Sequence, residues 1–213
     1  MSVQLPNDPA RDDVLAGRPA LWLNPNLKAN GIADQSLPIR AAQVKEAEEN
    51  WQLLAPVLET CFPELKASKG RIQSKLIEAE DLRGALGYGT SEYGRVFVKA
   101  DGDLPVAGSI KARGGVYEVF MHAKKMAEKR GILTPGGDIT VLVGEQARAL
   151  FAQHTIAVGS TGNLGLSVGI AARALGFRAV VHMSSDAKQW KVDRLTRLGV
   201  AVVQHKADYT TAV

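Results

Sequence analysis

Lys111 lies in the run Gly108-Ser109-Ile110-Lys111-Ala112-Arg113-Gly114-Gly115, and further along comes a second glycine-rich turn, Gly159-Ser160-Thr161-Gly162-Asn163-Leu164-Gly165. An amine set among small residues where a helix opens is placed to form a Schiff base with an aldehyde cofactor. Partial desolvation there favours the neutral, nucleophilic amine over the ammonium form. The later turn offers backbone N–H groups, two hydroxyls and an amide, a donor set suited to a carboxylate or to the polar edge of a ring cofactor. Together the two runs suggest pyridoxal phosphate. A nucleotide reading of the second turn fails on spacing. Its glycines at 159, 162 and 165 do not match G-x-G-x-x-G, and no lysine follows to complete a phosphate loop.

The two runs resemble the motifs of the fold-type II, tryptophan synthase β-like, pyridoxal phosphate enzymes: a Ser-x-Lys-x-Arg-Gly lysine motif, then a Ser-x-Gly-Asn-x-Gly asparagine loop. Both are matched in order, at Ser109 to Gly114 and at Ser160 to Gly165. The likeness narrows to the bacterial D-serine dehydratases through Leu104 to Lys111, Ile156 to Ser167, and the long N-terminal segment with Trp22-Leu23-Asn24-Pro25. The resemblance implies that Lys111 is the catalytic, cofactor-bound lysine and that Asn163 lies beside the 3′-oxygen of the cofactor. It also implies that Ser160 and Thr161 hold the substrate carboxylate. Ser109 stands between a phosphate contact and support of its loop, while Arg113 is expected to tie the helix start to neighbouring carboxylates.

The activity so implied is β-elimination of D-serine to pyruvate and ammonia, with D-threonine as a possible second substrate. The D-configuration rests on the resemblance alone, because no residue shows which face of Cα loses its proton. L-serine or L-threonine dehydratase is therefore the neighbouring alternative. The family's glycine-rich phosphate cradle and the residue facing the pyridine nitrogen are expected beyond Val213, so the chain reads as an N-terminal half. A rival of another class follows: a non-catalytic fragment that needs a second chain, inactive alone and prone to self-association through unpaired strand edges.

The elements that must position these residues are legible in the hydrophobic pattern. Met1 to Pro38 is proline-rich (Pro6, Pro9, Pro19, Pro25, Pro38) and reads as an extended arm. Val44, Ala47, Trp51, Leu54 and Leu58 recur at helical spacing, with Pro56 as a candidate interruption. Arg95 to Lys99 reads as a strand. Val116, Val119, Phe120, Ala123, Met126 and Ala127 mark the buried face of a helix ended by Gly131. Thr155 to Val158 is a strand, and Leu164 to Leu175 a small-residue helix with Gly176 after it. Phe177 to Met183, a helix N-capped by Ser184 or Ser185 and running through Leu198, and Val200 to Val203 form a βαβ unit. The fold class expected is α/β, with parallel sheets and helices on both faces, incomplete at the C-terminus. Its divisions are an arm over 1–38, the large domain over 39–154 and the start of a small domain over 155–213.

The composition is that of an ordinary globular protein: 213 residues, 46% hydrophobic, 23% charged, formal charge +4. The basic residues are interleaved with acids, and the cluster from Lys124 to Arg130 suits a helix C-terminus, so no nucleic-acid partner is expected. Cys61 is the single cysteine, which excludes an internal disulfide and suits a reducing cytoplasm. No run approaches the length of a membrane span, and no leader segment is recognised. His122, His154, His182 and His205 lack paired metal spacing and are expected to be structural. Trp22, Trp51 and Trp190 are read as packing residues.

Overall fold

The computed structural model describes residues 10–24, 38–89 and 94–206. Much of the predicted arm, with Pro6, Pro9 and Pro25, lies outside the described residues, as does the chain end from Thr210 to Val213. The chain divides into two compact units, Met1–Glu46 and Ala47–Val213. The first contains helix α1 (Arg11–Leu15), where Arg18 folds back to pair with Asp13 at 2.8 Å.

Helix α2 (Ala41–Cys61) runs through Pro56 without ending. Its last turns bury Leu54, Val57 and Leu58 completely, while Val44, expected on the same stripe, is 63% exposed. A proline inside a helix costs about 3 kcal/mol. Three apolar side chains buried around it return roughly 1.5–3 kcal/mol each, which outweighs the break. Trp51 packs on Tyr117 with ring centroids 5.4 Å apart. Strand β1 (Leu76–Glu78), not anticipated from the sequence, pairs antiparallel with β2 (Phe97–Lys99), the core of the expected strand. Helix α3 (Glu80–Ala85) lies between them in the chain.

Helix α4 (Lys111–Lys129) buries Ala112, Gly115, Val116, Val119, Phe120, Ala123 and Ala127, close to the predicted face. Met126 is only partly buried. After α5 (Glu145–Phe151), strands β3 (Thr155–Gly159), β4 (Arg178–Ser184) and β5 (Ala201–His205) form a parallel sheet in that order. They alternate with α6 (Asn163–Leu175) and α7 (Gln189–Arg197). On β4, Ala179, Val181 and Met183 are buried beneath α6, whereas Val180 and His182 on the opposite face are half-buried. Helix α7 begins later than predicted. Neither Ser184 nor Ser185 caps it, because the Ser184 hydroxyl is bonded to Thr161 and Asp186 instead, and Lys188 takes the cap position.

Close approach defines α6. A methyl on Gly165 would come within 2.5 Å of the Ser160 carbonyl oxygen and 2.8 Å of Val181 Cγ1, and one on Gly169 within 2.8 Å of Leu195 Cδ2 on α7. At Gly115 of α4 the same methyl would collide with the Ser167 hydroxyl of α6. At Gly114 it would meet nothing within 4 Å. Gly165→Ala is therefore expected to lower stability by about 2 kcal/mol, since the backbone oxygen it strikes has no rotamer to escape into. Gly114→Ala should raise it by about 0.5–1 kcal/mol by restricting the unfolded chain within a helix. Urea melts of the two variants check this pair, and a Gly165→Ala midpoint equal to the parent's would refute the packing argument.

Candidate cofactor and substrate site

Lys111 and Asn163 each open a helix, and α4 lies on α6. Gly115 of α4 meets Ser167 and Val168 of α6. Further along α4, His122 sits near Phe177, which follows the Gly176 turn ending α6, with ring centroids 6.4 Å apart. The contact therefore advances toward the C-terminus on both helices, so they run in the same sense. Lys111 lies four residues before Gly115, and Asn163 four before Ser167. Each is thus about one helical turn, roughly 5.4 Å, above the same contact, at the same end of the pair.

The lysine loop is held under backbone strain. Val106 adopts φ 74°, and the Ala107 N–H bonds to the Pro105 carbonyl at 2.9 Å, a three-residue turn with its centre in the left-handed region. A β-branched residue is disfavoured there, and such strain persists only where the surroundings enforce it. The enforcing contact is visible: the half-buried Arg194 of α7 donates to the Val106 carbonyl at 2.6 Å. The Gly108 N–H bonds to the Leu104 carbonyl at 2.9 Å, and the Ser109 hydroxyl accepts the Lys111 N–H at 3.3 Å. Ser109 thus supports the loop. Lys111 itself is exposed as the first residue of α4, so the described residues do not supply the desolvation expected of its amine. Arg113 is exposed, and its charge adds to the fall in the Asp101 pKa. The larger causes of that fall are the hydrogen bonds from Lys99 and from Ser74.

The second loop leaves the carboxyl end of β3, where parallel sheets commonly bind ligands. The Ser160 N–H bonds to the His182 carbonyl at 2.8 Å, and the buried Ser160 hydroxyl accepts the Gly162 N–H at 3.3 Å. Thr161 Oγ1 lies 2.7 Å from Ser184 Oγ and accepts the Ser184 N–H at 3.0 Å. Asn163 is half-buried and opens α6, whose first turn has no side-chain cap. Uncapped N–H groups at a helix start carry the positive end of the helix dipole, a site for an anion.

Ser184, Asp186 and Arg194 were not singled out by sequence reasoning as site residues. The available signal was position, since Ser184-Ser185-Asp186 follows the carboxyl end of β4 as the asparagine loop follows that of β3. Of the histidines, His182 and His205 lie side by side on neighbouring strands, Nδ1 to Nε2 2.9 Å. His122 and His154 line a recess of about 460 Å³ at the far end of α4 with Met126, Lys129 and Arg130, away from Lys111. Burial pushes the Cys61 thiol up to about 11, leaving it protonated at neutral pH. Among the described residues no cluster of three or more His, Cys, Asp or Glu is placed to hold a metal ion, and no helix is long and apolar enough to cross a membrane.

A protein of Rhizobium etli named "Probable D-serine dehydratase" is 64% identical over 213 residues, covering 100% of this chain and 48% of that protein. One of the same name from Rhizobium leguminosarum bv. trifolii is 63% identical over 213 residues, again 100% of this chain and 48% of the relative. The chain thus spans about half the length of the curated relatives it matches. The crystal structure of diaminopropionate ammonia lyase from Escherichia coli shares the fold, with a TM-score of 0.54 and 24% identity over 81% of this chain and 37% of that one. The family described as "Pyridoxal-phosphate dependent enzyme" matches residues 68–213, a span that holds both the lysine loop and the asparagine loop. The chain belongs to the pyridoxal-phosphate dependent enzyme family.

Proposed function

We propose that the protein carrying this chain eliminates water from D-serine to give pyruvate and ammonia, using pyridoxal phosphate at the shared end of α4 and α6. The observation that carries this reading is the placement of a lysine amine and an uncapped helix start, with Asn163 on it, one turn above a common contact. The donor set fits the cofactor: an exposed amine for its aldehyde and an amide for its ring oxygen. When bound, pyridoxal phosphate supplies an electron sink for the pair left behind at Cα. Lys111 would carry the cofactor covalently through its amine, and that amine or a neighbouring base would take the Cα proton. Asn163 orients the ring edge. Ser160, Thr161 and the N–H groups opening α6 hold the substrate carboxylate.

The D-configuration is supported by the names of the rhizobial relatives, and D-threonine is the natural second substrate to try. In domain terms, residues from 155 onward begin the smaller substrate-side domain, and residues 39–154 belong to the larger one. A reducing cytoplasm suits the chain's single thiol.

The tests use an intact enzyme of full family length carrying these residues. Pyruvate release should be seen with D-serine and be far slower with L-serine; the opposite preference overturns the substrate assignment. Borohydride reduction followed by peptide mapping should label Lys111, and Lys111→Ala should abolish both turnover and the visible band of bound cofactor. Label found on a different lysine would rule this site out. Asn163→Ala should shift that band and weaken cofactor binding by about 1.5–3 kcal/mol, the range for a hydrogen bond to a charged group. Equilibrium dialysis against pyridoxal phosphate measures the loss.

A further inference from the structure

Thr161 is expected to face the substrate, yet its hydroxyl is already engaged on the other side. Thr161 Oγ1 accepts the Ser184 N–H at 3.0 Å and lies 2.7 Å from Ser184 Oγ, and Ser184 Oγ in turn bonds to Oδ1 of Asp186. Counting protons gives the chain a direction. An ionised carboxylate only accepts, and a hydroxyl has one proton to donate. Ser184 therefore gives its proton to Asp186, and its oxygen takes the proton of Thr161. The Thr161 hydroxyl is committed as both donor and acceptor, with none of its hydrogen left for a ligand.

The surrounding bonds point the same way. Ser160 is tied through its N–H to the His182 carbonyl, and Ser184 belongs to the same strand, β4. The asparagine loop is thus fastened to the carboxyl end of β4 at two successive residues, by main chain at Ser160 and by side chain at Thr161. What stays available to an anion is the uncapped first turn of α6 and the hydroxyl proton of Ser160.

The geometry points to Ser184 and Asp186 as positioning residues that latch the Thr161 hydroxyl away from the substrate, so that backbone N–H groups of the asparagine loop, not that hydroxyl, receive the α-carboxylate. This rests on the carboxylate-binding reading of the loop given above. Thr161 then serves through its main chain, and Asp186, itself exposed, acts only through Ser184.

The test is a double-mutant cycle in the cofactor-loaded enzyme of full family length. Its variants are Thr161→Val, Thr161→Ser, Ser184→Ala, Asp186→Ala and the Thr161→Val/Ser184→Ala pair. D-Alanine, which carries the carboxylate and amine but no leaving hydroxyl, serves as the binding probe, followed through the cofactor spectrum alongside KM and kcat for D-serine. Thr161→Val and Ser184→Ala should each raise KM and the D-alanine Kd about five-fold with kcat changed less, the effect of one neutral hydrogen bond. The pair should be no worse than the worse single variant, Thr161→Ser should restore the parent values, and Asp186→Ala should move KM in the same direction. A direct hydroxyl contact to substrate predicts otherwise: Ser184→Ala at the parent KM with Thr161→Val raised, a result that overturns the latch. Multiplying effects in the pair overturn it equally. The latch has its own readout in the exchange rate of the residue 184 amide, which should be protected in the parent and fast in Thr161→Val. Fast exchange in the parent defeats the latch whatever the activity. A parent that binds no D-alanine and turns over neither enantiomer of serine instead defeats the proposed function and leaves the exchange result standing.

Discussion

Helix α6 has to lie in a narrow gap between α4 and the parallel sheet, one that needs glycine on α6 toward the sheet and on α4 toward α6, and the rest of the site follows from that fit. Gly165 and Gly169 admit Val181 of the sheet and Leu195 of α7, and Gly115 of α4 admits Ser167. Glycine in a helix costs about 0.5–1 kcal/mol relative to alanine. The close approach it permits is what brings the starts of α4 and α6 level. Lys111 and Asn163 are each the first residue of their helix, so levelling the helices puts the two residues at the same end of the pair.

Polar groups then complete what packing begins. The first turn of α6 has N–H groups that no side chain caps, whereas the Thr161 hydroxyl nearby is spent on holding the loop in place. A protein that wanted only a stable helix would place a capping side chain there, worth about 1 kcal/mol. Leaving the turn open is the arrangement expected of a helix start that receives an anion. The strained turn at Val106 belongs to the same economy of forces. Arg194 reaches from α7 to its carbonyl, so the segment leading to Lys111 is held by the βαβ unit that also carries the asparagine loop.

The strands contribute position more than stability. Asparagine loop, Ser184-Ser185-Asp186 and His205 all lie at the carboxyl ends of β3, β4 and β5, the edge of a parallel sheet from which loops project toward a ligand. One face of β4 is sealed by α6 while Val180 and His182 remain half-buried on the other. On that second face His182 and His205 share a hydrogen bond across adjacent strands. The partner each finds was not legible from spacing.

The sequence by itself determined the chemistry on offer and most of the local structure. Lysine, asparagine and hydroxyls in glycine-rich runs are recognisable because their roles depend on residue type. The faces of α4 and α6 are recognisable because burial imposes a helical period on the apolar residues. Short-range competition was harder to see: β1 is three residues long with no buried side to mark it, and Pro56 looked like a break until Leu54, Val57 and Leu58 were seen to be buried around it. Only the tertiary structure decided which hydroxyls are free. Ser184 has the residue type of a helix cap, and the sequence places it where a cap belongs. Its actual partners, Thr161 and Asp186, depend on β4 lying beside β3, because a hydrogen bond needs its atoms within about 3 Å and no local pattern encodes that distance between separate strands.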